Sequence, residues 1–151
     1  MEAFIAAMMI IGTPNHIPED RIRTSGEAIW TIATEMGEDP YLVAAVGWVE
    51  TRWNPNARSK TKDCGILQVH LRYTKYTCDE LKDLKTGIRE GITKLRYWRK
   101  RFEKRERRKM QWVCHYNGGN VCRKRAQGYG RSVYRMYRKL KWKAKKAGDS
   151  K

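Results

Sequence analysis

The feature that most constrains this chain is an apolar helix that stops on a carboxylate. Leu42, Ala45, Val46 and Val49 recur at i, i+3, i+4 and i+7, the spacing of one buried helix face. Asp39 stands where an N-cap is wanted and Pro40 at the first helical position, where its missing N–H costs nothing. The pattern ends on Glu50. A carboxyl placed there has three reasons to keep its proton: the apolar helix behind it, Trp48 and Trp53 close in sequence, and the negative end of the helix dipole. Those are the conditions of a general acid. From Asn56 to Asp63 the chain turns polar and turn-prone before the short β-prone run Ile66 to Val69, so a loop is expected to hang beside the carboxyl.

The rest of the pattern is helical. Thr24-x-x-Glu27 reads as a capping box for a helix with Ile29, Ile32, Ala33 and Met36 on one face and Gly37 as its stop,. Thr77-x-x-Glu80 opens another, with Leu81, Leu84, Ile88, Ile92, Leu95 and Phe102 on one face to about residue 104. Gly87 and Gly91 interrupt it at i, i+4, which suits close helix packing. A helix from Arg107 to Tyr116 would end at Asn117-Gly118-Gly119, and a last one from Arg131 to about Lys145 carries Val133, Met136, Tyr137, Leu140 and Ala144 at helical spacing. The expectation is a mainly α chain with a very small β region near residues 64–70.

A length of 151 residues suffices for one domain, residues 1–151, with a core that needs no metal. The net charge of +17 is unevenly distributed, because residues 1–50 hold 2 basic and 8 acidic side chains. Two runs carry the excess: residues 94–109 with ten basic and two acidic side chains, and residues 123–146 with eleven basic and none acidic. Polyanions are the expected partners. The apolar run near the N-terminus, Ala3 to Ile11, is too short to span a membrane and lacks a basic lead, so a docking helix is expected and no signal peptide is visible,. Cys64, Cys78, Cys114 and Cys122 contain no Cys-x-x-Cys, which argues against zinc and thioredoxin chemistry. Three disulfide pairings are open, 64–78 with 114–122 being the local one, and so are four free thiols. His16, His70 and His115 show no ligand spacing, so no metal site is expected.

Three ordered motifs then go beyond composition. Glu50-Thr51 with the following Asn54-Pro55-Asn56-Ala57 and Ser59, and then Gly65-Ile66-Leu67-Gln68-Val69, resemble the first two motifs of soluble lytic transglycosylases and goose-type lysozymes: Glu-Ser with Asn-Pro-x-Ala, then Gly-Leu-Met-Gln. His115-Tyr116-Asn117-Gly118-Gly119 resembles the same family's Ala-Tyr-Asn-Ala-Gly. The resemblance covers roughly residues 38–130. It departs at Thr51, at Ile66-Leu67, and at His115 and Gly118, none of which is the acid.

The resemblance implies a lysozyme-like domain that cleaves the β-1,4 bond between N-acetylmuramic acid and N-acetylglucosamine in peptidoglycan, without a cofactor. Glu50 would be the catalytic acid and base, with Thr51, Asn54, Ser59, Gln68, Tyr116 and Asn117 as the substrate-binding set; a core aromatic with a satisfied hydroxyl is the lesser reading of Tyr116. A hydrolase would need a second carboxylate, for which Asp63 is the candidate; it also reads as a loop cap with Lys60 and Lys62 as surface partners. Goose-type lysozymes place an aspartate where this chain has His70, which favours the transglycosylase. The expected setting is the cell wall or periplasm, for a phage-encoded or exported, monomeric enzyme. Its basic C-terminal region, residues 131–151, would hold anionic envelope polymers or lipid. Basic residues interleaved with Tyr129, Tyr134, Tyr137 and Trp142 also fit a nucleic-acid-binding module, but that reading leaves the three motifs unexplained.

Overall fold

The computed structural model describes residues 1–105 and 110–149. Among the described residues, seven α-helices and one two-stranded sheet occur in the order α1 (Glu2–Gly12), α2 (Glu19–Glu35), α3 (Pro40–Thr51), β1 (Asp63–Cys64), β2 (Val69–His70), α4 (Cys78–Lys82), α5 (Leu84–Phe102), α6 (Cys114–Gly118) and α7 (Lys124–Asp149), joined in places by short 3-10 turns. The fold is mainly α, as expected.

Helix α3 lies at the centre. Asp39 caps it, Oδ1 accepting from the Tyr41 N–H at 2.9 Å, and Pro40 opens it. Every residue from Leu42 to Gly47 is buried, so the helix is enclosed on all sides and not along one stripe only. α2 and α7 pack against it. The apolar N-terminal run is indeed a docking helix: α1 buries Phe4, Ala7, Met8 and Ile11 against α2 and α7, with Phe4 wedged between Trp30 and Tyr41 at ring distances of 5.3 and 5.2 Å. One core cluster runs from Phe4 to Ala144. Among the described residues, no helix is long and apolar enough to cross a membrane.

Several boundaries differ from the sequence reading. α2 starts at Glu19, directly after Pro18, with Glu19 and Asp20 in the first turn where acids complement the dipole; Thr24 is therefore interior and makes no capping box. The expected helix from 77 to 104 is two. The Thr77–Glu80 capping box forms, but Asp83 takes an extended backbone and caps a fresh helix, accepting from the Thr86 N–H at 2.9 Å. α7 begins at Lys124 and not at 131, because Gly128 and Gly130 are carried inside the helix; Gly130 packs on Cys114, leaving little room for a side chain. Of the helix expected over 107–116, residues 107–109 lie outside the described residues, and the chain beyond them forms a 3-10 turn, Gln111–Val113, leading into α6.

The β region pairs Asp63 with His70 and Cys64 with Val69, antiparallel. Ile66 and Leu67 belong to the connecting turn and not to a strand, and both are fully buried. Two glycines make this possible. Gly65 holds φ +78° with the Leu81 carbonyl where a Cβ would stand, and Gly91 of α5 leaves the space that the Leu67 side chain occupies. Both disulfides are the local pairs, Cys64–Cys78 and Cys114–Cys122, with Cα separations of 5.4 and 5.8 Å. The first ties β1 to the start of α4; the second closes the turn between α6 and α7.

Candidate active site

The end of α3 is fixed before any chemistry is considered. Arg52 and Trp53 both take positive φ, 51° and 59°, and their N–H groups return to the carbonyls of Trp48 and Gly47, closing the helix end. Two non-glycine residues in this region cost on the order of 1 kcal/mol or more each. Burial of Trp53, which is fully enclosed and donates its Nε1–H to the Ala44 carbonyl at 2.8 Å, offsets that cost. Thr51 Oγ donates to the Ile66 carbonyl at 2.8 Å and accepts from the Asn54 N–H at 3.1 Å. α3, the Asn54 turn and the β turn are thereby tied together, with Glu50 one residue before the knot.

Glu50 opens onto a cavity of about 630 Å³, lined also by Thr61, Asp63, Gln68, His70, Tyr116, Asn117, Asn120, Arg123 and Arg125. Its carboxyl is pushed up to about 7, chiefly by burial and secondarily by the negative charge of Asp63, against the opposing pull of the Tyr129 hydroxyl. Trp48 and Trp53, expected to shield it, do not line the cavity; they pack on one another at 4.9 Å. Tyrosines shield it instead. The Tyr116 hydroxyl donates to the Leu67 carbonyl at 2.7 Å. The Tyr129 hydroxyl is buried and makes no hydrogen bond with a described residue; it lies near enough to the Glu50 carboxyl for each to shift the other's proton affinity. Both tyrosines are held well above their ordinary value of 10 by burial, with the Glu50 charge next, and stay neutral donors.

The sequence-derived set divides in two. Glu50, Asp63, Gln68, Tyr116 and Asn117 come together around the cavity; Thr51, Asn54 and Ser59 are not part of its lining. Their side chains build the loop: Thr51 as above, Asn54 Oδ1 accepting from the Asn56 N–H at 3.0 Å, and Ser59 Oγ donating to Asp63 Oδ2 at 2.6 Å. Gln68, at φ 51°, donates both amide hydrogens to the Ala57 and Gly65 carbonyls, which leaves its side-chain oxygen for a ligand. Asp63 does not pair with Lys60 or Lys62. Its Oδ2 accepts from both Ser59 and Thr61, each at 2.6 Å. His70 uses Nδ1 to accept from the Arg72 N–H at 3.1 Å. His115 is a buried packing residue, stacked on Phe102 at 3.6 Å. It sits close to Cys114 and Cys122, but their sulfurs are bonded to each other.

Tyr129, Thr61, Asn120, Arg123 and Arg125 were missed. A signal for Tyr129 existed: with α7 extended to Lys124, it falls four residues before Val133 on the buried face that continues through Leu140 and Ala144. α7 is held in that phase by Tyr137, whose hydroxyl donates to Asp39 Oδ2 at 2.9 Å. One aspartate thus caps α3 with one oxygen and anchors α7 with the other.

A largely enclosed, protonatable carboxyl at a helix end, facing a cavity lined by the hairpin loop and Tyr116, is suited to general acid catalysis. The model of the transglycosylase SLT domain family matches residues 27–136. The chain belongs to this family. The match runs from within α2 to Met136 in α7, so the SLT domain includes Glu50, the hairpin, Tyr116 and Tyr129. No curated protein and no solved structure matches the chain. As an SLT domain it is a cell-wall glycan-degrading enzyme of the lytic transglycosylase type, acting on glycosidic bonds of peptidoglycan.

Proposed function

We propose that this SLT domain, residues 1–151 acting as one monomeric unit, cleaves the bond between N-acetylmuramic acid and N-acetylglucosamine and releases a 1,6-anhydromuramyl end. Glu50 delivers its proton to the bridging oxygen as the C1–O bond breaks. Now a carboxylate, it takes the proton of the muramyl C6 hydroxyl while that oxygen closes onto C1, so no water enters and Glu50 ends protonated again. The observation that carries this reading is the asymmetry of the two cavity carboxyls. Glu50 is held protonated to about pH 7, whereas one oxygen of Asp63 is engaged by two side-chain hydroxyls of its own loop. The Gln68 oxygen, the Tyr116 hydroxyl and the Asn117 amide are suited to the N-acetyl and hydroxyl groups of the strand, with Thr51, Asn54 and Ser59 acting through the shape of the loop.

A second reading, a goose-type hydrolase, is favoured by one fact: Asp63 shares the cavity with Glu50, where a general base would stand if the two carboxyls lay roughly 6.5 to 9.5 Å apart. The enzyme is taken to be a phage-borne or envelope-associated wall-degrading protein. The exposed Trp142, with Lys143 and Lys146 at 4.9 and 4.3 Å from its ring, supports a role for the basic α7 surface in holding anionic envelope polymers or lipid. The test is turbidity of purified peptidoglycan. Clearing that persists in salt and disappears in Glu50→Gln is expected; no clearing, with DNA retention that falls steeply with salt, would replace the enzyme with a nucleic-acid-binding module.

A further inference from the structure

The lining of the Glu50 cavity contains something a neutral glycan does not need. Gln68, Asn117 and Asn120 supply amides, which suit hydroxyl and acetamido groups. Arg123 and Arg125 line the same cavity, and neither forms an ion pair with a described residue. The two acids of the cavity do not account for them. Glu50 is protonated up to about pH 7, and Asp63 is served by Ser59 and Thr61. The position is also locally unfavourable for cations, because Arg123, Lys124 and Arg125 stand together at the positive end of a 26-residue helix with no acid in its first turn,. The α6–α7 disulfide, Cys114–Cys122, holds Arg123 directly beside this wall.

We infer that Arg123 and Arg125 form a carboxylate-recognising subsite of the catalytic cavity, so that the enzyme selects muramyl units bearing an anionic side arm. The proposal rests on the peptidoglycan reading above and deepens it. The N-acetylated sugar rings carry no charge; the only carboxylates on the polymer are on the muramyl lactyl arm, either the lactyl carboxyl itself where the peptide is absent or the carboxyls of the attached peptide. A guanidinium presents a planar fork of N–H donors that matches a carboxylate, and two of them beside a protonated Glu50 place positive potential where the side arm emerges. Carboxylate binding at that wall would fix which sugar ring sits over Glu50.

The experiment compares four soluble strand preparations: peptide-bearing, peptide-bearing with its carboxyls methyl-esterified, peptide-free with a free lactyl carboxyl, and peptide-free with that carboxyl esterified. The parent, Arg123→Gln/Arg125→Gln, and a charge control, Arg23→Gln/Lys85→Gln, are compared by kcat/KM, and Glu50→Gln protein is titrated with fragments of each kind. The parent is expected to prefer the carboxylate form over its ester about tenfold or more, which corresponds to about 1.4 kcal/mol. The double arginine variant is expected to bring that ratio near one, and the charge control to keep it. Preference confined to the peptide-bearing pair assigns the subsite to the peptide; preference confined to the peptide-free pair assigns it to the lactyl group. A parent that cuts acid and ester equally, or a double variant that keeps the parent's ratio, overturns the subsite while leaving the lytic reading intact. Glu50→Gln protein that binds carboxylate fragments selectively, with no cleavage by the parent, would remove the lytic reading and leave the subsite standing.

Discussion

Replacing Glu50 with glutamine is expected to abolish wall cleavage and, at the same time, to stabilise the protein at alkaline pH. The carboxyl is raised from its ordinary 4.5 to about 7, mainly by burial. Between those values the native state holds a proton that the unfolded chain has released, so stability falls as pH rises through the window. Above it the full cost of the buried charge is present, roughly 3 kcal/mol from the width of the window. Below pH 4.5 the glutamate is protonated in both states and a neutral amide of the same shape replaces it at little cost. Denaturant unfolding of parent and variant at pH 4 and pH 8 measures this. The variant is expected to gain about 3 kcal/mol relative to the parent between the two conditions, or roughly 6 to 12 °C in Tm for a domain of this size. Parallel stability curves across pH would refute the reasoning, because they would mean that Glu50 titrates as a solvated side chain and has no held proton to give. Activity should fall by about 10² or more, the usual worth of a general acid.

Removing the hydroxyl in Tyr129→Phe takes away a neighbour that lowers the Glu50 proton affinity, so the alkaline limb of the kcat/KM profile should move to higher pH; a shift to lower pH would assign the hydroxyl another role. Asp63→Asn removes a charge that raises Glu50, and the same limb should move down while the rate changes by only a few-fold; a loss of about 10² or more would instead make Asp63 a general base. Cys64→Ser/Cys78→Ser opens a closure of 14 residues and should cost about 2 to 4 kcal/mol in unfolding experiments, with equal parent and variant stabilities counting against a structural role for that bridge.

Local chemistry made much of this molecule readable in advance. Asp39-Pro40 places a good N-cap before a proline at the first helical position,, the Thr77–Glu80 box forms as its spacing demands, and Glu50, Gln68, Tyr116 and Asn117 converge on one cavity. The features that were not readable depend on tertiary contact. Thr51, Asn54 and Ser59 carry hydroxyls and amides equally able to bind sugar or backbone, and only the fold shows that backbone and Asp63 take them. The α7 start was hidden because glycines such as Gly128 and Gly130 weaken a helical pattern, whereas Gly130 here brings α7 close against the Cys114 backbone and side chain. Losing that first stretch of α7 also hid Tyr129 and the two arginines. Asp83 was masked by an apolar pattern that runs unbroken across the end of α4 into α5.

The mass of the released sugars tests the central claim most directly. If Glu50 serves as acid and then base with the substrate's own C6 hydroxyl as nucleophile, muramyl ends from the parent enzyme will be one water lighter than the hydrolysed form and will resist borohydride reduction. Reducing muramyl ends of full mass as the main product would contradict the account, and would transfer the second step to a water activated within the same cavity.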